Sequence, residues 1–223
     1  MWLFCKIRNL VLGLVFGYID CMREMGIKVR QKTAWVISRV FDPVIEIPLL
    51  LTLAVWFALA NGLRWRFFIF LMFVDAGLPA LYMFYGLKKG FITDWDMTRR
   101  EERKGLYLFT VFTHLIGVVY AFFLGKVFLA YTLLVFWMLA VVFAVITLRW
   151  KISVHAGVTA VAVGFVNHFF GWRNYWWLVL ILLLVLWARV EVKKHTLIQV
   201  IAGSGLALLI VEVGLRIGDW WVF

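Results

Sequence analysis

The amino-acid sequence predicts an all-α membrane protein, a polytopic bundle of about six or seven transmembrane helices. Three observations carry that prediction. Hydrophobic residues make up 65% of the 223, with a mean hydropathy of +0.96, more apolar surface than a soluble core of this size can hide. The apolar residues are gathered into blocks, and several approach the length of about 20 residues that a helix needs to cross the hydrocarbon layer. The cations between the blocks are unevenly shared: eighteen of the 23 lysines and arginines fall on one side of the resulting topology, and only Arg64, Arg66, Lys126, Arg173 and Arg216 on the other.

Residues 1 to 40 form a basic amphipathic segment distinct from the transmembrane part, residues 41–223. Lys6, Arg8, Arg23, Lys28, Arg30, Lys32 and Arg39 interrupt its apolar stretches, of which the longest is only about Leu10 to Ile19. That is short for a span and lacks a small-residue cleavage site, so an interfacial helix retained in the mature protein is expected. The first apolar block runs roughly from Val44 to Leu63 and the second from Phe67 to Gly86; Pro43, Pro48 and Pro79 punctuate them and are expected to kink them. Leu106 to Gly125 and Val127 to Leu148 are of full length. His155 to Phe170 and Tyr175 to Ala188 are shorter, and Leu197 to Leu215 closes the series. Thirteen tryptophans fit interfacial belts and lipid-facing packing. Two cysteines, Cys5 and Cys21, give no disulfide framework.

The charge asymmetry places the N-terminus and the loops near 88–104, 149–155 and 189–195 on the cytoplasmic side by the positive-inside rule. The formal charge of +11 fits anionic lipid and orientation in the bilayer, with no nucleic-acid partner. Two apolar blocks separate the first of these loops from the second, and two more separate the second from the third. An even number of crossings returns the chain to the side it left, so all three loops are expected on one membrane face.

Those loops carry the residues with chemistry. Ser153 and His155 open one apolar block, while Arg189 closes another and stands six residues before His195, with Gln199 four residues further on. Two histidines at helix mouths, each beside cations, point to phosphoryl chemistry at a bilayer surface. A neutral imidazole can attack phosphorus and form a phosphohistidine, and a second can protonate the departing oxygen. Guanidinium forks supply paired donors to the equatorial oxygens. His195 suits the nucleophile and His155 the acid. Arg189, Arg103 and Arg100 are the candidates for holding phosphate, together with the first-turn amides of a helix beginning near Ser153. Gln199 lies on the same helical face as His195, where its carbonyl can fix the nucleophilic tautomer without supplying a full negative charge.

The spacing Ser153-x-His155, then Arg189-x5-His195, within the strings WKISVHAG and HTLIQVIAG, resembles the second and third signature motifs of the type 2 phosphatidic acid phosphatase superfamily. The match covers roughly residues 88 to 205. The resemblance implies a lipid phosphatase acting on a phosphorylated lipid without metal or other cofactor. It assigns His195 as nucleophile, His155 as acid, and Ser153 and the arginines to phosphate. The first motif, a lysine followed after six residues by Arg-Pro, is divergent: with Arg103 aligned, Asp96 occupies the lysine's place and Lys104 the proline's. Ile152 and Val154 replace a proline and a glycine, Gln199 replaces an aspartate, and the two blocks before Ser153 form an additional helical hairpin.

Two other readings compete. A transporter or other non-enzymatic lipid-binding protein would use Asp75 and Glu212, ionisable groups inside apolar blocks that otherwise serve as structural hydrogen-bonding groups. A prenyltransferase-like enzyme would use Asp94 and Asp96 with magnesium. His114 and His168 lack motif partners and are expected to serve packing or hydrogen bonding.

Overall fold

A computed structural model describes residues 24–221. It is all-α: helices α1 (residues 24–40), α2 (Pro43–Ala58), α3 (Asn61–Leu71), α4 (Leu78–Lys89), α5 (Arg100–Phe123), α6 (Val127–Thr147), α7 (Val154–Phe170), the single turn α8 (Trp172–Tyr175), α9 (Leu178–Glu191) and α10 (Leu197–Trp221), with no strand among the described residues. Five helical stretches are long and apolar enough to cross a membrane: Glu24–Ala58, Gly62–Lys89, Arg100–Phe123, Val127–Thr147 and Leu197–Trp220. The shorter apolar helix α7 and the 14-residue helix α9 lie between α6 and α10 in chain order. Residues 1–23, which hold most of the expected amphipathic segment, lie outside the described residues.

Local chemistry sets the breaks. Asp42 caps α2 by accepting from Val44 N, and Pro43 follows at the first helical position, where a missing N–H costs nothing. The first block therefore starts as expected but stops at Ala58, short of Leu63. Leu59 turns extended, and its carbonyl accepts from Arg64 Nε at 2.6 Å. α3 and α4 form one rod interrupted by a π turn, Met72–Gly77. Pro79 supplies the cause: four residues after Asp75, it has no N–H for the Asp75 carbonyl, and the Leu78 N–H bonds back to Phe73. The expected proline kink is thus an extra residue wound into the helix, and Asp75 sits on it.

The core is built from α2, α3, α5, α6, α7, α9 and α10 around fully buried side chains such as Leu51, Leu71, Leu133, Phe165, Val211 and Leu215. α5 and α6 form the most extensive helix pair, and α7 against α10 the next. The second pair approaches closely at Gly203, where a Cβ would stand 2.6 Å from the Ser153 carbonyl; Gly157 instead makes room for α6, since a Cβ there would stand 2.4 Å from the Phe143 ring. With Gly203 clear, Ser153 N reaches Gln199 O at 3.4 Å, which fixes the mouth of α7 beside the mouth of α10.

Candidate active site

The three cation-bearing loops meet. Lys194 Nζ donates to Thr98 Oγ1 at 2.8 Å, Lys151 Nζ to Lys194 O at 2.8 Å, and Arg103 NH1 to Ile152 O at 3.2 Å. The two non-glycine residues with left-handed backbone among the described residues, Met97 (φ 44) and Lys193 (φ 56), lie in two of these loops. Such conformations persist where surrounding contacts enforce them. Here Arg103 clamps the first, donating through Nε to Met97 O and through NH2 to Asp96 O.

Around this junction lies a cavity of about 250 Å³. Asp42, Asp96, Arg103, His155 and His195 line its polar end, and apolar side chains of α2, α4, α5, α6 and α7 line the remainder. His195 is buried, with Nδ1 3.2 Å from Gln199 Oε1. The same oxygen accepts from Thr196 N at 3.1 Å, while Gln199 N donates to Thr196 Oγ1 at 3.4 Å. Thr196 and Gln199 thus form a reciprocal capping box at the start of α10, a signal present in the sequence as T-x-x-Q. An amide oxygen that takes the Thr196 N–H is an acceptor, so Nδ1 of His195 carries the proton and Nε2 holds the free lone pair. Burial, reinforced by Arg103, Arg189 and Lys151, holds the His195 imidazole down to about 2 and therefore neutral. Lys151 is itself pulled below the ordinary lysine value by burial and by the cations Arg103, Lys194 and Arg189.

His155, in the first turn of α7, has a different neighbour. Its Nε2 is buried without a hydrogen-bond partner and lies 3.6 Å from Asp42 Oδ2. Asp42 is in turn held by Trp95 Nε1 at 3.0 Å and Arg39 NH1 at 3.3 Å. Ser153 is fully buried and caps α7, its Oγ accepting from Ala156 N at 3.4 Å, so its hydroxyl serves the helix before any ligand.

Arg189 is 1% exposed. Its NH1 donates to Asp96 Oδ1 at 3.0 Å and to Ser38 Oγ, whereas Nε and NH2 are buried without partners. Unpaired guanidinium donors in such a place are costly, and an anion with several oxygens is the ligand that satisfies them. Asp96 also pairs with Arg39 NH2 at 2.9 Å and lies 3.5 Å from Lys194 Nζ. Burial alone would raise its carboxyl; Arg189 foremost, then Arg39 and Lys194, bring it down to about 2. Asp94 is occupied within its own loop, accepting from Asp96 N, Thr98 N and Thr98 Oγ1. Both carboxylates therefore face hydrogen-bond donors and cations, an arrangement unlike a shared cation site.

Of the sequence candidates, His195, His155, Arg103, Arg189, Ser153 and Gln199 are brought together around one junction. Arg100 is not: its guanidinium donates to Arg149 O at 2.5 Å and to Glu101, and it stays partly exposed whereas Arg103 is buried. Sequence reasoning missed Asp42, Ser38 and Arg39. The string Asp42-Pro43 at a helix start was legible as a cap, but nothing in it announces a partner 113 residues away on α7. The last turn of α1 contributes Ser38 and Arg39, so the site draws on the segment before residue 41. Compared with known proteins, the chain matches no family model, no curated protein and no solved structure.

Proposed function

We propose that this protein is a membrane-embedded lipid phosphate or pyrophosphate phosphatase of the type 2 phosphatidic acid phosphatase kind, working through a phosphohistidine at His195. The observation that carries the reading is the unequal setting of two histidines beside the unsatisfied donors of Arg189. One imidazole is kept neutral among cations and the other faces a carboxylate, and such a division separates nucleophile from acid.

In this reading the substrate phosphate takes Nε and NH2 of Arg189, with the charge of Arg103 and Lys151 close by. His195 Nε2 attacks phosphorus in line, forming the P–N bond as the P–O bond to the lipid breaks. Gln199 Oε1 holds the Nδ1 proton in place and keeps the ring aimed. His155, whose Nε2 lies beside Asp42 Oδ2, gives its proton to the departing lipid oxygen. Water then attacks the phosphohistidine, His155 recovers a proton from that water, and inorganic phosphate leaves with His195 restored. The apolar part of the cavity takes the lipid chain. The site opens on the cation-rich face, which we assign to the cytoplasmic side of the cell membrane. A magnesium-dependent prenyltransferase reading has less support, since the lone pairs of Asp94 and Asp96 are committed to the contacts above.

The test is phosphate release by the purified protein from phosphatidate, phosphatidylglycerophosphate and polyprenyl diphosphate, with and without chelator. Turnover that persists with chelator, together with an acid-labile, alkali-stable phosphoenzyme missing in His195→Ala, is the expected result. Turnover that stops with chelator, or that leaves no phosphoenzyme in rapid-quench trapping, would overturn the mechanism.

A further inference from the structure

The cavity has a second polar place that the reaction above does not use. Asp75 and His114 line it among largely apolar side chains, with Thr110 one turn before His114 on α5, and both are buried. His114 stands eleven residues beyond Arg103 on α5, which puts the pair about 16 Å along the helix axis from the phosphate end. The carboxylate projects from the π turn. It packs against α5 at Gly117, where a Cβ would come within 2.9 Å of Asp75 Oδ2.

The proton inventory of the pair follows from its partners. His114 Nε2 lies 3.1 Å from the Leu133 carbonyl, which can only accept, so Nε2 carries a hydrogen. His114 Nδ1 lies 3.1 Å from Asp75 Oδ2. Between an Nδ1 lone pair and a carboxylate oxygen that contact is repulsive, so one proton is shared there, on the imidazole or on the carboxyl. The pair is neutral overall in either case; neither carboxyl oxygen has an aligned hydrogen-bond partner, but Oδ2 has the His114 contact and Oδ1 has none, so Oδ1 remains a spare acceptor. A neutral pair with a spare acceptor suits an uncharged donor better than a cation. A plain hydrocarbon chain reaching this depth would leave the acceptor unsatisfied.

We propose that Asp75 and His114 form a second subsite that accepts a hydrogen bond from a hydroxyl on the hydrophobic part of the ligand, so that the cavity selects a hydroxylated lipid phosphate. This rests on the reading that a phosphorylated lipid occupies the cavity. Asp75 Oδ1 accepts from the hydroxyl while His114, anchored through Nε2 to Leu133, holds the other carboxyl oxygen. A site built to bond a hydroxyl discriminates against the analogue that lacks it, because the site's own buried group is then unpaired.

The experiment compares n-alkyl phosphates with phosphorylated α,ω-diols of the same lengths, reading affinity by titration calorimetry below the micellar range and phosphate release in parallel. At one chain length the terminal hydroxyl should tighten binding about tenfold, as one added hydrogen bond to a buried acceptor gives. At other lengths it should weaken binding, since the hydroxyl is buried without a partner. Asp75→Leu should erase the gain and keep affinity for the plain chain, whereas Asp75→Asn, which retains a carbonyl acceptor, should keep the gain. If Asp75→Leu does not fold, the length scan on the unmodified protein decides. Plain alkyl phosphates that bind and release phosphate, with no gain from the hydroxyl at any length or an equal gain at all lengths, would overturn this inference alone. Binding by neither series and no phosphate release would overturn the lipid phosphatase reading beneath it.

Discussion

Replacing Gln199 by glutamate places a full negative charge where the amide oxygen stands, 3.2 Å from His195 Nδ1 and 3.1 Å from Thr196 N. The two side chains have the same length, so both contacts survive, and a carboxylate three residues into α10 also favours the helix N-terminus. At an effective dielectric of about 20 the charge–charge term at this separation approaches 5 kcal/mol as an upper bound. Gln199 is only partly buried, and solvent screening reduces the useful part to about 1.5–3 kcal/mol. Two consequences are expected. The transition state, in which the imidazole gains positive charge as the P–N bond forms, is stabilised enough to raise kcat/KM about ten- to hundredfold. The His195 imidazole, held down to about 2, rises by about 1–2 pH units and still titrates well below neutrality, so the neutral nucleophile is not lost at pH 7. Gln199→Ala removes both the orienting contact and the cap, with about a ten- to hundredfold fall in kcat/KM and about 1 kcal/mol of stability lost. The assay is phosphate release from a short-chain phosphatidate in detergent across pH, with folding followed by thermal melts. A Gln199→Ala variant with unchanged kcat/KM, or a folded Gln199→Glu variant no faster than wild type at any pH, would refute the orienting role.

Three further outcomes are expected. His195→Ala should abolish phosphate release and leave the melting profile in detergent nearly unchanged, since the ring makes one side-chain hydrogen bond and borders the cavity; residual turnover in a folded variant would remove it as nucleophile. Arg100→Ala should keep kcat/KM within about twofold because Arg100 is partly exposed and bonds outside the site, whereas Arg189→Lys should lose about a hundredfold or more through loss of the guanidinium fork; equal effects on kcat/KM would deny Arg189 its assigned place. Asp96 has a carboxyl depressed to about 2 from an ordinary value near 3.8, so its stabilisation is fully present above about pH 4 and is lost as the pH falls through about 2. Asp96→Asn should therefore be less stable at neutral pH and show a flatter acid melt; an unchanged acid profile would show that the Arg189 pair is not what Asp96 contributes.

The class of the fold was legible because hydrocarbon thickness dictates block length and composition, and the later helices begin and end within a few residues of their apolar blocks. His155, Arg189 and His195 were legible for a related reason: even numbers of crossings bring their loops to one face whatever the detailed packing. Arg103 and Arg100 were indistinguishable as a string of cations. Three residues apart they are neighbours on one helical face, and only the packing distinguishes them: Arg100 stands partly exposed at the first position of α5, whereas Arg103, one turn on, is buried among the loops. Asp42 could not be linked to His155 from sequence, because its pairing depends on α2 packing against α7. Asp96 likewise looked like a loop carboxylate until Arg189 and Arg39 arrived from α9 and α1. Composition and periodicity determine what crosses the membrane and which loops share a side, since each is a one-dimensional constraint. Only the tertiary structure settles which charge neutralises which, because in a low-dielectric interior that choice turns on separations of a few ångströms between residues far apart in the chain.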